Sequence, residues 1–89
     1  MKKLDIELFK AIKKSNITNI KKLISLGADV NSQDQDGNTP LHIVMMLPPS
    51  TDFVKNSKIF SMLLEHGADS TIKNNSGHSP ADYAAGKLI

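Results

Sequence analysis

The stretch "LGADVNSQDQDGNTPLH", residues 26–42, recurs as "HGADSTIKNNSGHSPAD", residues 66–82. Gly27 matches Gly67, Asp29 matches Asp69, Gly37 matches Gly77 and Pro40 matches Pro80, each displaced by 40 residues. Self-similarity of this kind marks a fold made by stacking one supersecondary unit on the next. A second comparison gives a shorter spacing. Leu8 and Ala11 lie 33 residues before Leu41 and Val44, whereas Leu23 and Ile24 lie 40 before Leu63 and Leu64. The basic period is therefore 33, with seven extra residues between Val44 and Leu63. Pro48–Val54, "PPSTDFV", is the natural place for them, as an exposed lobe.

Within each unit the apolar spacing is helical. Leu4, Leu8, Ala11 and Ile12 form one stripe, and Ile17, Ile20, Leu23 and Ile24 form a second. Asn16 is placed to cap the second helix, and Gly27 to end it in the left-handed conformation. Thr39-Pro40 starts a third helix as N-cap and first-turn proline, and Pro48-Pro49 stops it. A fourth is expected from about Lys58 to His66, followed by Gly67. Ser79-Pro80-Ala81-Asp82 opens a fifth, with Asp82 closing a capping box. No stretch sustains a period-two alternation, so the expected class is all-α. Leu41 and Leu63 are expected core positions.

"DGNTPLH", "LLEHGAD" and "LISLGADVN" resemble the ankyrin repeat, a 33-residue unit of hairpin-like loop and two antiparallel helices. The resemblance covers essentially the whole chain. It divides residues 1–89, read as one domain, into a repeat at 1–33, a second at 34–73 carrying the insertion 48–54, and a half repeat at 74–89. It implies a solenoid of antiparallel helix pairs joined by hairpin-like loops.

Composition narrows the function classes. The chain has 89 residues and no cysteine, which excludes a disulfide framework and a thiolate zinc site and fits a reducing compartment. The expected location is the cytoplasm, either of the source cell or of a host into which the protein is delivered. No run of about 18 apolar residues is present. The formal net charge of +2 is uneven: residues 1–33 hold seven Lys against three acids, and residues 34–89 four Lys against six. There is no Arg, which counts against sequence-specific nucleic-acid recognition, because bidentate reading of guanine or phosphate favours the guanidinium. The basic segment "IKKSNITNIKK" lacks interleaved aromatics for base stacking and reads as a solvated helix face.

Asp34, Asp36 and Gly37 invite comparison with a calcium loop. A loop starting at Ser32 would need Asp there and Glu at the twelfth position, which is Ile43, and Pro40 starts a helix where the loop should still wrap the ion. The two acids read better as a hairpin tip, with Gly37 supplying the turn conformation. His42 lies three residues after Thr39 at a helix start, a spacing suited to a hydrogen bond between them that ties adjacent loops together. The resemblance implies the same role. His66 and His78 have no second ligand at metal spacing. No nucleophile turn, glycine-rich phosphate loop or rigid pair of carboxylates is present. No catalytic residue, metal or cofactor is therefore assigned. "LISLGADVN" also resembles sites of asparagine hydroxylation in ankyrin repeats, which would fall on Asn31.

The resemblance implies a non-enzymatic protein-interaction module, an adaptor or inhibitor whose hairpin tips and first helices line a concave face. On this sequence that face comprises Lys2, Lys3, Asp5, Lys13 and Lys14; then Gln35, Asp36, Asn38, Met45, Met46 and Leu47; then Asn75, Ser76, His78 and Lys87. Phe53 joins them from the insertion, either anchoring the lobe or touching a partner. The Met-Met-Leu run suits an adaptable contact patch or packs beneath the insertion. The partner is an unidentified protein, and neither nucleic acid nor membrane is expected. The alternative is a self-associating unit or the end of a longer array, and the C-terminal helix, with Tyr83, Ala84, Ala85, Leu88 and Ile89, is expected either to make a two-fold homodimer contact or to dock on the partner.

Overall fold

The computed structural model describes residues 2–47 and 52–84. They form five helices: α1 (Lys3–Lys13), α2 (Ile17–Ser25), α3 (Pro40–Met46), α4 (Phe53–Glu65) and α5 (Pro80–Ala84). Among the described residues there is no strand. α3 lies between α1 and α5 in one row, while α2 packs on α1 and α4 on α3 to form a second row. The core runs between the rows. Leu8, Ile12, Ile20, Leu41, Ile59 and Leu63 are fully buried, and both expected core leucines are among them. Each such side chain contributes about 1.5–3 kcal/mol by leaving water.

The helix ends follow local chemistry. The Asn16 side chain accepts the Asn19 N–H at 3.2 Å and caps α2. Gly27, at φ +104°, turns the chain out of α2 while the Ala28 N–H returns to the Leu23 carbonyl at 3.0 Å. Leu47 is extended (φ −64°, ψ 144°), as a residue before proline prefers, and this ends α3. Ser79 and Asp82 cap α5 reciprocally: the Ser79 N–H donates to Asp82 Oδ2 at 2.9 Å, and the Asp82 N–H to Ser79 Oγ at 3.3 Å.

The insertion departs from expectation. α4 begins at Phe53 rather than near Lys58, so Phe53 and Val54 belong to a helix and not to a lobe. Asp52 explains the early start, because its carboxylate accepts the Lys55 N–H at 3.1 Å as an N-cap. The added turn is fastened from outside. Ser15 Oγ, in the corner between α1 and α2, donates to Asn56 Oδ1 at 2.9 Å. Ser15 itself sits at φ +53°, where a side chain costs about 1 kcal/mol or more. The remaining insertion residues, 48–51, lie outside the described residues.

Candidate protein-binding surface

The two expected hairpin tips share one construction. In the first, the Asp34 N–H donates to the Asn38 carbonyl at 2.9 Å and the Gly37 N–H to the Asp34 carbonyl at 2.9 Å. Asp34 Oδ1 accepts the N–H groups of Asp36 and Asn38, both at 2.9 Å. In the second, Asn74 does the same work, accepting from Ser76 and His78 at 3.0 and 3.1 Å. The Asp34 carboxylate therefore faces its own turn. Among the described residues no group of three or more His, Cys, Asp or Glu is placed to hold a metal ion.

The tips are bonded to each other. The Asn75 N–H donates to the Asp36 carbonyl at 2.9 Å, and Asn75 Nδ2 donates to the Gln35 carbonyl at 3.0 Å. Asn74 Nδ2 donates to Asn38 Oδ1 at 2.8 Å. Gln33 Nε2 reaches both the Gly37 carbonyl (2.9 Å) and the Lys73 carbonyl (3.2 Å). This closeness requires glycine at 37: a Cβ there would stand 2.6 Å from Asn75 Oδ1 and 2.8 Å from the Asn75 nitrogen, at a φ of +77°.

Behind the tips, His42 is fully buried. Its Nδ1 accepts the Thr39 N–H at 2.9 Å, and its Nε2 lies 2.8 Å from the His78 carbonyl. A backbone N–H can only donate and a carbonyl can only accept, so Nε2 carries the proton. The ring thus joins one loop to the next, as the Thr39–His42 spacing led us to expect. Tyr83 meets the rings of His42 and His78 edge-on at 5.9 and 6.0 Å. Asn31 makes a similar link: its Nδ2 donates to the Gly67 carbonyl at 3.0 Å, and its Oδ1 accepts the Asp69 N–H at 2.7 Å. The Thr71 hydroxyl and then the Thr71 N–H donate to the exposed Asp69 carboxylate, holding its pKa below the ordinary value.

These contacts sort the expected contact residues. Gln35, Asp36, Asn75 and Ser76 are exposed together on the double tip, with His78 half-buried beneath them. Lys2 and Lys3 are exposed at the start of α1. Two assignments are corrected. Asp5 is buried because its carboxylate turns inward to accept the Asp29 N–H at 2.8 Å. Asn38 is buried because its side chain receives Asn74. Lys13 and Lys14 lie at the other end of α1, about 15 Å along an 11-residue helix, beside the added turn of α4. Met46, half exposed, and the half-buried Met45 and Leu47 end α3. Phe53 is 81% exposed at the start of α4. Lys87, Leu88 and Ile89 lie outside the described residues. The bonds made by Asn31, Gln33, Asn74 and Asn75 were missed; the only signal for them was the recurrence of polar residues around each repeated glycine.

A family model described as ankyrin repeats in three copies matches residues 8–88. Among solved structures, an ankyrin repeat protein shares 36% identity and a TM-score of 0.79, covering 90% of this chain and 40% of that one. Among curated proteins, the human 2-5A-dependent ribonuclease is 32% identical over 88% of this chain and 10% of its own length. A human ARF GTPase-activating protein is 33% identical over 93% of this chain and 10% of its own. The chain spans between 1% and 25% of the length of the curated relatives it matches. Its repeats, helix pairs and linked loops make it a member of the ankyrin-repeat family.

Proposed function

We propose that this chain is a non-enzymatic adaptor or inhibitor that grips a partner protein with its paired hairpin tips. Ankyrin repeats are in general protein–protein interaction modules. What supports the finer reading is the bonding of the tips to each other. Asn75 fastens the second tip to the first through two hydrogen bonds, so the exposed side chains of Gln35, Asp36 and Ser76 are displayed on ordered backbone. A surface ordered before binding has less conformational entropy to lose when it binds. Lys2 and Lys3 extend the surface towards α1.

The test compares affinity capture from the source cell by the wild type and by a Gln35→Ala, Asp36→Lys, Ser76→Lys variant. All three side chains are exposed, so the variant should keep its melting temperature. The expected result is a set of captured proteins lost on substitution. Capture of the same proteins in the same amounts by both would refute the tip reading.

A further inference from the structure

We infer that the opposite, outer side of the molecule carries a second docking surface, a groove between α2 and α4 for an acidic segment with an apolar anchor from another protein. The groove has a volume of about 260 Å³ and is open to solvent. Ile17 and Met62 supply its apolar lining, Lys21 and Lys58 stand on its two sides as exposed side chains, and Ser61 and Glu65 complete the lining, with Glu65 at the C-terminal end of α4. Val54 lies one turn before Lys58 on the same face of α4, and it is 74% exposed beside the 81% exposed Phe53. The first turn of α4, beyond Lys58, therefore presents two apolar side chains to water, of which Val54 is on the face that leads into the groove. The Ser15–Asn56 bond holds that turn in place, so the pair stands on a fixed support.

Charge identifies the occupant. The groove itself is lined by Lys21 and Lys58 against one acid, Glu65, at the end of α4 away from Val54, and α2 and α4 add Lys22 and Lys55 without a further acid. A segment that covers Val54 and the apolar lining must run past Lys21 and Lys58, where Asp or Glu gains and Lys or Arg loses. α4, with 13 residues, is about 20 Å long, which matches roughly six residues of extended chain. The groove has no arginine and no row of aromatics, so bases have nothing to stack on. The tips and this groove lie on separate elements.

Peptides recovered from a random twelve-residue display library panned on the folded chain provide the probe. The recovered sequences should combine Asp or Glu with an apolar residue. Synthetic copies should bind the wild type, weaken about tenfold or more on Lys21→Glu with Lys58→Glu, and weaken again as salt screens the lysines. Val54→Ser should reduce binding independently of salt, while Gln35→Ala with Asp36→Lys should leave it unchanged. Circular dichroism of every variant establishes that the fold persists. Neutral or basic recovered sequences would overturn the inference, as would indifference to the lysine reversal or loss of binding in the tip variant. Failure to recover acidic peptides, together with lysine-dependent sedimentation on phosphatidylserine vesicles, would assign the face to lipid and equally overturn it.

Discussion

Replacing Gly37 by alanine separates the cost of a backbone conformation from the cost of a lost contact between loops, because Gly77 provides a matched control. Both glycines have left-handed φ values, +77° and +81°. An alanine in that region costs about 1–2 kcal/mol. It recovers about 0.4–1 kcal/mol by restricting the unfolded chain. Gly77→Ala meets nothing within 4 Å, so about 1 kcal/mol is its whole expected penalty. At Gly37 the new methyl group would lie 2.6 Å from Asn75 Oδ1 and 2.8 Å from the Asn75 nitrogen. The second tip must retreat, breaking the two Asn75 hydrogen bonds to the first. At about 1 kcal/mol each, these raise the expected penalty to about 3 kcal/mol. Urea unfolding followed by circular dichroism reads the difference. With a slope near about 1 kcal/mol/M, the two midpoints should differ by about 2 M. Coincident midpoints would mean that the tip-to-tip contacts add nothing, and the ordered-surface argument would fall with them.

Three further outcomes are expected. His42→Ala should cost about 1–3 kcal/mol, since it strands the buried Thr39 N–H and removes the link to the His78 carbonyl; His42→Asp, which copies the Asp82 arrangement, should restore the cap but not the link and unfold between the two. Leu63→Ala, at a position with no exposure, should cost about 2–5 kcal/mol, and a melting temperature within a degree or two of wild type would contradict the assigned packing. The Asp69 carboxylate is stabilised in its charged form by Thr71, so its small contribution to stability is present above the unfolded pKa and lost as pH falls through the lowered folded value. Thr71→Val should move the Asp69 titration upward in an NMR pH series, and an unmoved titration would rule out the hydroxyl as the main cause.

Features set within one turn of chain were legible before any coordinates. Asn16, the Thr39–His42 pair, Ser79–Asp82 and Gly27 shape bonds that span three to five residues, and each does so where its spacing placed it. Reasoning from spacing failed where the partner is distant. Asp5 looks like an exposed first-turn acid, yet it is buried by the Asp29 N–H, 24 residues on. Asn38 looks like a free tip residue, yet Asn74 covers it from 36 residues away. The start of α4 was misplaced for another reason. Pro48 and Pro49 end α3 but do not fix where α4 starts, which the Asp52 N-cap sets five residues before Lys58.

Four of the bonds that join successive loops have an asymmetry with evolutionary meaning. Asn31, Gln33 and His42 each spend a side chain on the neighbouring loop, whereas Gly67, Asp69, Lys73 and His78 answer with main-chain atoms. A main-chain atom is present whatever the side chain attached to it. Substitution at Lys73 or His78 therefore leaves the donor's partner in place, so long as the loop keeps its course, while substitution at Gln33 or His42 removes the bond. At these bonds the side-chain half is held to its residue type, while the main-chain half tolerates whatever side chain it carries. A molecule joined in this way can change its exposed side chains at Gln35, Asp36 and Ser76 generation after generation without renegotiating how its repeats hold together, provided Asn75 is kept.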